Sequence, residues 1–206
     1  MHPSEQWTIV DTETTGLSQP VYAVEIAAQR MRGWVPDGPP FQVLLNHEVP
    51  IDPAAEAVHG YSRMHLRRHG QAPLSAHAAF RSYTGDLPIV AYNLGFDWDR
   101  VLRPEYQRLG IHTTGTKGFC ALTLARRLIQ ETPNHRLETL KNHFKLSEQR
   151  SHRGAADVEA VARLFEAVYR ERLCNAGIIG FSAIAAFSIM TPIHRCRMRI
   201  FSAQPV

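Results

Sequence analysis

Acidic residues are missing from the end of this sequence. All 19 Asp and Glu lie at or before Glu171, and the last 33 of the 206 residues carry only Arg195, Arg197 and Arg199 as fixed charges. The net +4 is therefore split, with +1 over residues 1–173 and +3 behind them. So mild a basic balance permits nucleic-acid binding without requiring it. Cysteine is scarce as well: Cys120, Cys174 and Cys196 are odd in number and lack metal-ligand spacing. That argues against a disulfide framework and fits a reducing, cytoplasmic setting. The opening residues Met1 to Gln6 contain no apolar run, which argues against a secretory signal. Leu173 to Ile193 carries no Lys, Arg, Asp or Glu and is long enough to cross a bilayer. Its Asn175, Gly177, Gly180, Ser182, Ser188, Thr191 and Pro192 favour a buried docking helix or partner-binding tail over a membrane span.

What is present is ordinary for a folded chain: 44% hydrophobic and 20% charged residues exclude extensive disorder. The length suits one domain over residues 1–173, with a helical, basic tail over 174–206. Trp7 to Val10 reads as a strand ending in Asp11, with a turn at Thr14 to Leu17. Val21 to Met31 and Phe41 to Asn46 read as further strands of a meander. Helices are predicted at Pro53 to His59, Ser62 to His69 and Ser75 to Tyr83, then a buried strand at Leu87 to Tyr92. A helix from Phe96 to Leu109, a strand at Gly118 to Cys120 and helices at Leu122 to Ile129 and around Leu137 to Phe144 follow. Ala155 to Arg170 has the clearest helical stripe, built from Val158, Val161, Ala162, Phe165 and Val168. Strands first, then helices alternating with strands, point to an α/β fold with a mixed sheet flanked by helices.

Three short segments could carry chemistry. Asp11 and Glu13 stand two apart on a strand, so their carboxylates share one face with Cα atoms roughly 7 Å apart. Such a pair repels unless neutralised, and hard divalent cations prefer oxygen ligands; a solvated strand end has the same sequence appearance. Asp97 follows a buried strand, where it reads either as an acid at the sheet edge or as a helix-start residue favoured by the macrodipole. His152 precedes the long helix that carries Asp157, which suits a base on a loop beside a rigid carboxylate and equally suits capping. Arg150 and Arg153 flank His152 as candidate phosphate contacts.

Taken together, Asp11-Thr12-Glu13-Thr14-Thr15-Gly16-Leu17, Asn93 to Asp97, and His152 to Asp157 resemble the three motifs of the DEDDh, or DnaQ-like, 3′–5′ exonucleases of the RNase H-like fold. The resemblance covers about residues 6–172. It implies two divalent cations, Mg²⁺ or Mn²⁺, held by Asp11, Glu13, Asp97 and Asp157, with His152 as general base toward the attacking water. It also implies release of nucleoside 5′-monophosphates from the 3′ ends of nucleic acid, DNA more than RNA. Thr14, Gly16, Leu17, His59, Asn93 and Phe96 would line the substrate side, with Leu17 wedged between the last two bases. Two departures stand out: Tyr92 replaces the His that many relatives have, and Gly154 replaces the usual Ala, which should loosen the loop bearing His152. The tail vaguely resembles the helix after the nuclease domain of exonuclease X-like proteins, and it could pair two subunits or engage a protein partner. Two other functions fit the same residues. One is an exoribonuclease of the oligoribonuclease or RNase T kind; the other is a non-catalytic nucleic-acid or partner-binding module.

Overall fold

The computed structural model describes residues 1–112, 117–146 and 153–202. Its centre is a mixed six-stranded sheet: β1 (Gln6–Thr14), β2 (Ala23–Arg32), β3 (Val35–Pro36), β4 (Phe41–Leu44), β5 (Ile89–Ala91) and β6 (Lys117–Cys120). Strand order is β3-β2-β1-β5-β6, and β4 also pairs with β2. The first four strands are antiparallel, with β1, β3 and β4 all pairing with β2 rather than following one another as the expected meander, while β5 joins β1 and β6 joins β5 in parallel. Period-two alternation divides β1 between two cores: Trp7 and Ile9 face one, Val10 the other.

Helices cover both faces, as a sheet with parallel members requires. On one side lie α1 (Pro53–His59), α2 (Arg63–His69) and α3 (Pro73–Thr84), then a π-helical segment, Gly95–Leu102, that runs into α4 (Arg103–Arg108). Phe80, Trp98, Val101, Leu102 and Tyr106 fill that core. The other face carries α5 (Ala121–Leu128), α6 (Leu137–Phe144) and α7 (Gly154–Leu164). From α7 a second π-helical segment, Phe165–Tyr169, leads into α8 (Arg170–Asn175), so the long helix expected there is a composite.

A buried ionic cluster sets the start of β2. Glu105 accepts from the Ala23 N–H at 2.9 Å, and its carboxylate also meets His47 at 3.1 Å and the fully buried His77. Burial opposes its charge, yet these histidine contacts hold the carboxyl down at about 2.

The uncharged stretch after Leu173 does not form one long helix. It breaks at Ala176 to Gly180 and resumes as α9 (Phe181–Ile189), followed by α10 (Ile193–Phe201). No helix among the described residues is long and apolar enough to cross a membrane. Instead, Ile184, Phe187, Cys196 and Ile200 are buried in the same core as Trp7 and Phe165. Arg127 of α5 donates to the Met190 carbonyl at 2.7 Å, and Arg197 returns a bond to the Arg126 carbonyl. The alanine-rich segment therefore closes the sheet's α5 side. Phe187→Ala should cost about 3–5 kcal/mol of unfolding free energy in a urea titration; a change under about 0.5 kcal/mol, typical of surface positions, would mean that this helix is not part of the core.

Candidate metal centre and nucleotide cavity

Strand β1 runs three residues past the end expected for it, and this extension builds the site. Thr12, Glu13 and Thr14 continue the ladder with β2, with a register shift between Glu13 and Thr14. Alternation then sets Asp11 and Glu13 on the face that α7 crosses, and Asp157 lies in the first turn of α7. One carboxylate oxygen each from Asp11, Glu13 and Asp157 falls within 4.8 Å of the others. Asp97 stands beside this cluster rather than in it. Its Oδ1 accepts from the Thr12 N–H at 3.0 Å and the Thr12 hydroxyl at 2.8 Å. The π-helical turn presents Asp97 to the end of β1, a placement typical of such turns at functional sites.

Like charges so close cannot all stay ionised without a counter-charge. Burial, then the neighbouring charges of Asp97, Glu13, Asp157 and Glu25, pushes the Asp11 carboxyl well above its usual range. Burial and then Glu25 raise Glu13 to about 8. Burial raises Asp97 to about 7 against the opposing pull of the two Thr12 bonds. Glu25, fully buried on β2, sits directly across from Glu13 in the ladder, the cross-strand placement at which like charges repel most.

Two compensations are built in. Lys141 of α6, 3% exposed, places its Nζ 3.1 Å from Asp157 Oδ1. Glu25 Oε2 accepts the Gly154 N–H at 3.1 Å, and Gln42 donates to its other oxygen. Gly154 begins α7 against β2, where a Cβ would stand 3.0 Å from the Ala27 side chain, so close approach favours glycine there. The loop bearing His152, on which the expected loosening bears, lies outside the described residues.

Beside Glu13 opens a cavity of about 390 Å³. Thr14, Gly16, Leu17, His59 and Phe96 line it, together with Ala54, Ala55 and Val58. Leu17 is 70% exposed at its mouth, an apolar side chain presented to solvent rather than folded onto the core. Gly16, at φ +152°, shapes the turn beneath it, and a Cβ there would come 3.1 Å from Asp52. His59 is buried, and burial holds its imidazole below the usual range. Asn93 is exposed and accepts the N–H groups of Phe96 and Asp97 through its carbonyl. Arg153 is exposed at the start of α7, and its carbonyl receives the Asp157 N–H. Arg150 and His152 lie outside the described residues.

Sequence reasoning misses four residues here. Lys141 looks like any surface lysine on a helix. Glu25 looks like a polar interruption of a strand, Asp52 like a helix cap, and Arg100 like a solvated charge. Yet Asp52 lines the cavity and caps α1. Arg100 donates to the Leu17 carbonyl at 2.7 Å while lying over the Phe96 ring, so it ties the two cavity walls together. Nothing local in the sequence marks the roles of Lys141, Glu25 and Arg100, or the place of Asp52 in the cavity wall.

An all-oxygen, mutually repelling donor set of this kind fits hard divalent cations. A family model described as exonuclease matches residues 8–165. The chain is 30% identical over 188 residues to the PolC-type DNA polymerase III of Latilactobacillus sakei, covering 88% of this chain and 12% of that protein. It is likewise 30% identical over 162 residues to the PolC-type DNA polymerase III of Listeria innocua, covering 77% and 11%. This chain thus spans a small part of the curated relatives it matches. Among solved structures, E. coli exonuclease I in complex with a dT13 oligonucleotide aligns with a TM-score of 0.73 at 19% identity, over 85% of this chain and 44% of that one. The zinc-bound form of the exonuclease I complex with single-stranded DNA aligns at 0.70 and 20% identity, over 78% and 40%. At such identities the likeness establishes the fold, which is the RNase H-like mixed sheet expected.

Two measurements follow from the electrostatics. Carboxyls raised to about 7 and 8 stabilise the metal-free fold at low pH, and that contribution disappears as pH rises through those values. In EDTA the melting temperature should therefore fall between about pH 5 and 8.5, and saturating Mg²⁺ should flatten the decline; parallel curves with and without Mg²⁺ would contradict this. Lys141→Met removes one half of a buried ion pair, a change worth about 3–5 kcal/mol. Thermal melts should show most of that destabilisation in EDTA and much less in Mg²⁺, because a bound cation takes over the neutralisation of Asp157.

Proposed function

The chain belongs to the exonuclease family, and from that membership we propose a metal-dependent 3′–5′ exonuclease acting on single-stranded DNA ends. The observation that carries this reading is the convergence of Asp11, Glu13 and Asp157, of which Glu13 also lines a largely apolar cavity. The cavity suits a base and sugar, and the acids suit the phosphodiester next to them once cations are bound. Asp11, Glu13 and Asp157 would hold one Mg²⁺ or Mn²⁺, and Asp97 with Asp11 a second. When bound, the pair supplies electrostatic stabilisation of the attacking and leaving oxygens of an in-line displacement.

The chain's own residues supply the rest. Thr14 and the backbone around it would take the terminal 3′-hydroxyl, while Leu17 and Phe96 grip the last base from either side. Arg100 keeps these two walls in register through its hydrogen bond to the Leu17 carbonyl and its place over the Phe96 ring. His59, held neutral by burial, offers a polar edge without adding charge to the cavity. His152 is assigned the general base: it accepts a proton from the attacking water as the new P–O bond forms. The P–O3′ bond of the preceding nucleotide then breaks, and a nucleoside 5′-monophosphate leaves. An imidazole five residues before a carboxylate fixed on a helix suits such proton transfer.

The test is degradation of 5′-labelled single-stranded DNA and RNA of matched sequence in Mg²⁺. Wild-type protein should shorten DNA from its 3′ end and release 5′-mononucleotides. Asp11→Asn should lose at least about 10³-fold in turnover, and His152→Ala about 10²- to 10⁴-fold, the usual contribution of a positioned base. Faster cleavage of the RNA would make the protein an exoribonuclease, and an inert wild-type chain would overturn the reading.

A further inference from the structure

A second depression, of about 680 Å³, opens on the other side of the acids and shares Asp157 and Asn93 with the site. Its composition is the reverse of the first. Among the described residues, the nucleotide cavity is lined by no Lys or Arg and includes the acids Glu13 and Asp52. The second depression is flanked by Arg126 of α5 and Arg136 at the start of α6, with His135 between and Glu138 the further acid on its rim.

Neither arginine is committed to a partner among the described residues. Both are exposed, and neither guanidinium has a hydrogen bond or ion pair among the described residues. Elsewhere the chain ties surface arginines to acids: Arg63 and Arg67 to Glu48, Arg163 to Glu159, and Arg172 to Glu131. Arg126 also makes its charge felt at Tyr92, which lines the same depression and donates to the His135 carbonyl. Two guanidiniums lining one depression that also reaches Asp157 match further phosphates of the same strand.

We propose that this groove is the track for the retained part of the strand, with Arg126 and Arg136 contacting phosphates on the 5′ side of the bond being cut. The inference rests on the exonuclease reading for the direction of the strand. The released nucleotide occupies the cavity that no described Lys or Arg lines, so every other phosphate must leave on the opposite side of the acids. Backbone contacts of this sort carry no base preference, so they set affinity and salt dependence rather than sequence choice.

Fluorescence anisotropy of a labelled dT strand about 20 nucleotides long, in EDTA, tests the groove without requiring cleavage. Arg126→Gln with Arg136→Gln should weaken binding by about tenfold at low salt. The slope of log K against log salt should shrink by about 0.7 for each phosphate that is no longer neutralised. Arg126→Lys with Arg136→Lys should keep most of the slope, since the charges remain. In steady-state assays the glutamine pair should raise KM on the same strand while leaving hydrolysis of the p-nitrophenyl ester of thymidine 5′-monophosphate unchanged, because that ester has no retained strand. Unchanged affinity and slope, an equal fall in activity on both substrates, or a wild-type chain that does not bind the strand would each overturn the proposal. A wild-type chain that binds the strand with the expected slope yet cleaves nothing would instead overturn the exonuclease reading and leave the groove standing.

Discussion

Carboxylate repulsion is the constraint on which the rest of this structure depends. Asp11, Glu13 and Asp157 bring oxygens within 4.8 Å of one another, with Asp97 and Glu25 close enough to add to the repulsion. A fold does not gather five acids at one strand end for stability, since each buried charge must be neutralised or protonated. The surrounding architecture consists largely of answers to that problem. Thr12 binds Asp97, Lys141 binds Asp157, and the first turn of α7 binds Glu25. These bonds lower the repulsion without removing it, and the remainder is what a divalent cation would relieve.

The same bonds join distant parts of the chain into one site. Gly154 lies 129 residues from Glu25, and Thr12 lies 85 from Asp97. The sheet brings them together because β5 inserts beside β1 in parallel, which carries Asp97 to the end of the strand holding Asp11 and Glu13. Helix α7 then lies across β1 and β2, and its close approach to β2 is what calls for glycine at Gly154. Stability and site geometry share these residues, so a substitution at Gly154 disturbs both.

Much of this is legible in the sequence, for reasons that can be stated. The run Trp7 to Val10 signals a strand, and period two then puts Asp11 and Glu13 on one face. The stripe from Val158 to Val168 signals the helix that carries Asp157, although its π-helical turn at Phe165 leaves no periodic mark. Spacing alone does not join the three segments; the resemblance to a known family does. The unread part is tertiary. Lys141 is buried because α6 packs toward the acids, and no local pattern separates it from an exposed lysine. The end of β1 escapes notice because Thr12 to Thr14 is polar, and its strand geometry comes from pairing with β2 rather than from apolar alternation. The tail reads as ambiguous because alanine-rich helices fit many surroundings, and only the sheet's open α5 side determines where it docks.

The two depressions give the acid cluster its direction. One is small, lined by no described Lys or Arg and fronted by an exposed leucine; the other is larger and flanked by guanidiniums that pair with no acid among the described residues. A charged centre between two unlike neighbours can distinguish the ends of a strand without reading its sequence. That polarity has purpose only if the acids themselves hold cations. Electron paramagnetic resonance of Mn²⁺ titrated into the protein at about neutral pH, where Mn²⁺ must displace protons from the raised carboxyls, tests this most directly. The account predicts two ions per wild-type chain and markedly weaker binding in Asp11→Asn; a wild-type chain that binds no Mn²⁺, or an Asp11→Asn variant that binds it equally well, would contradict it.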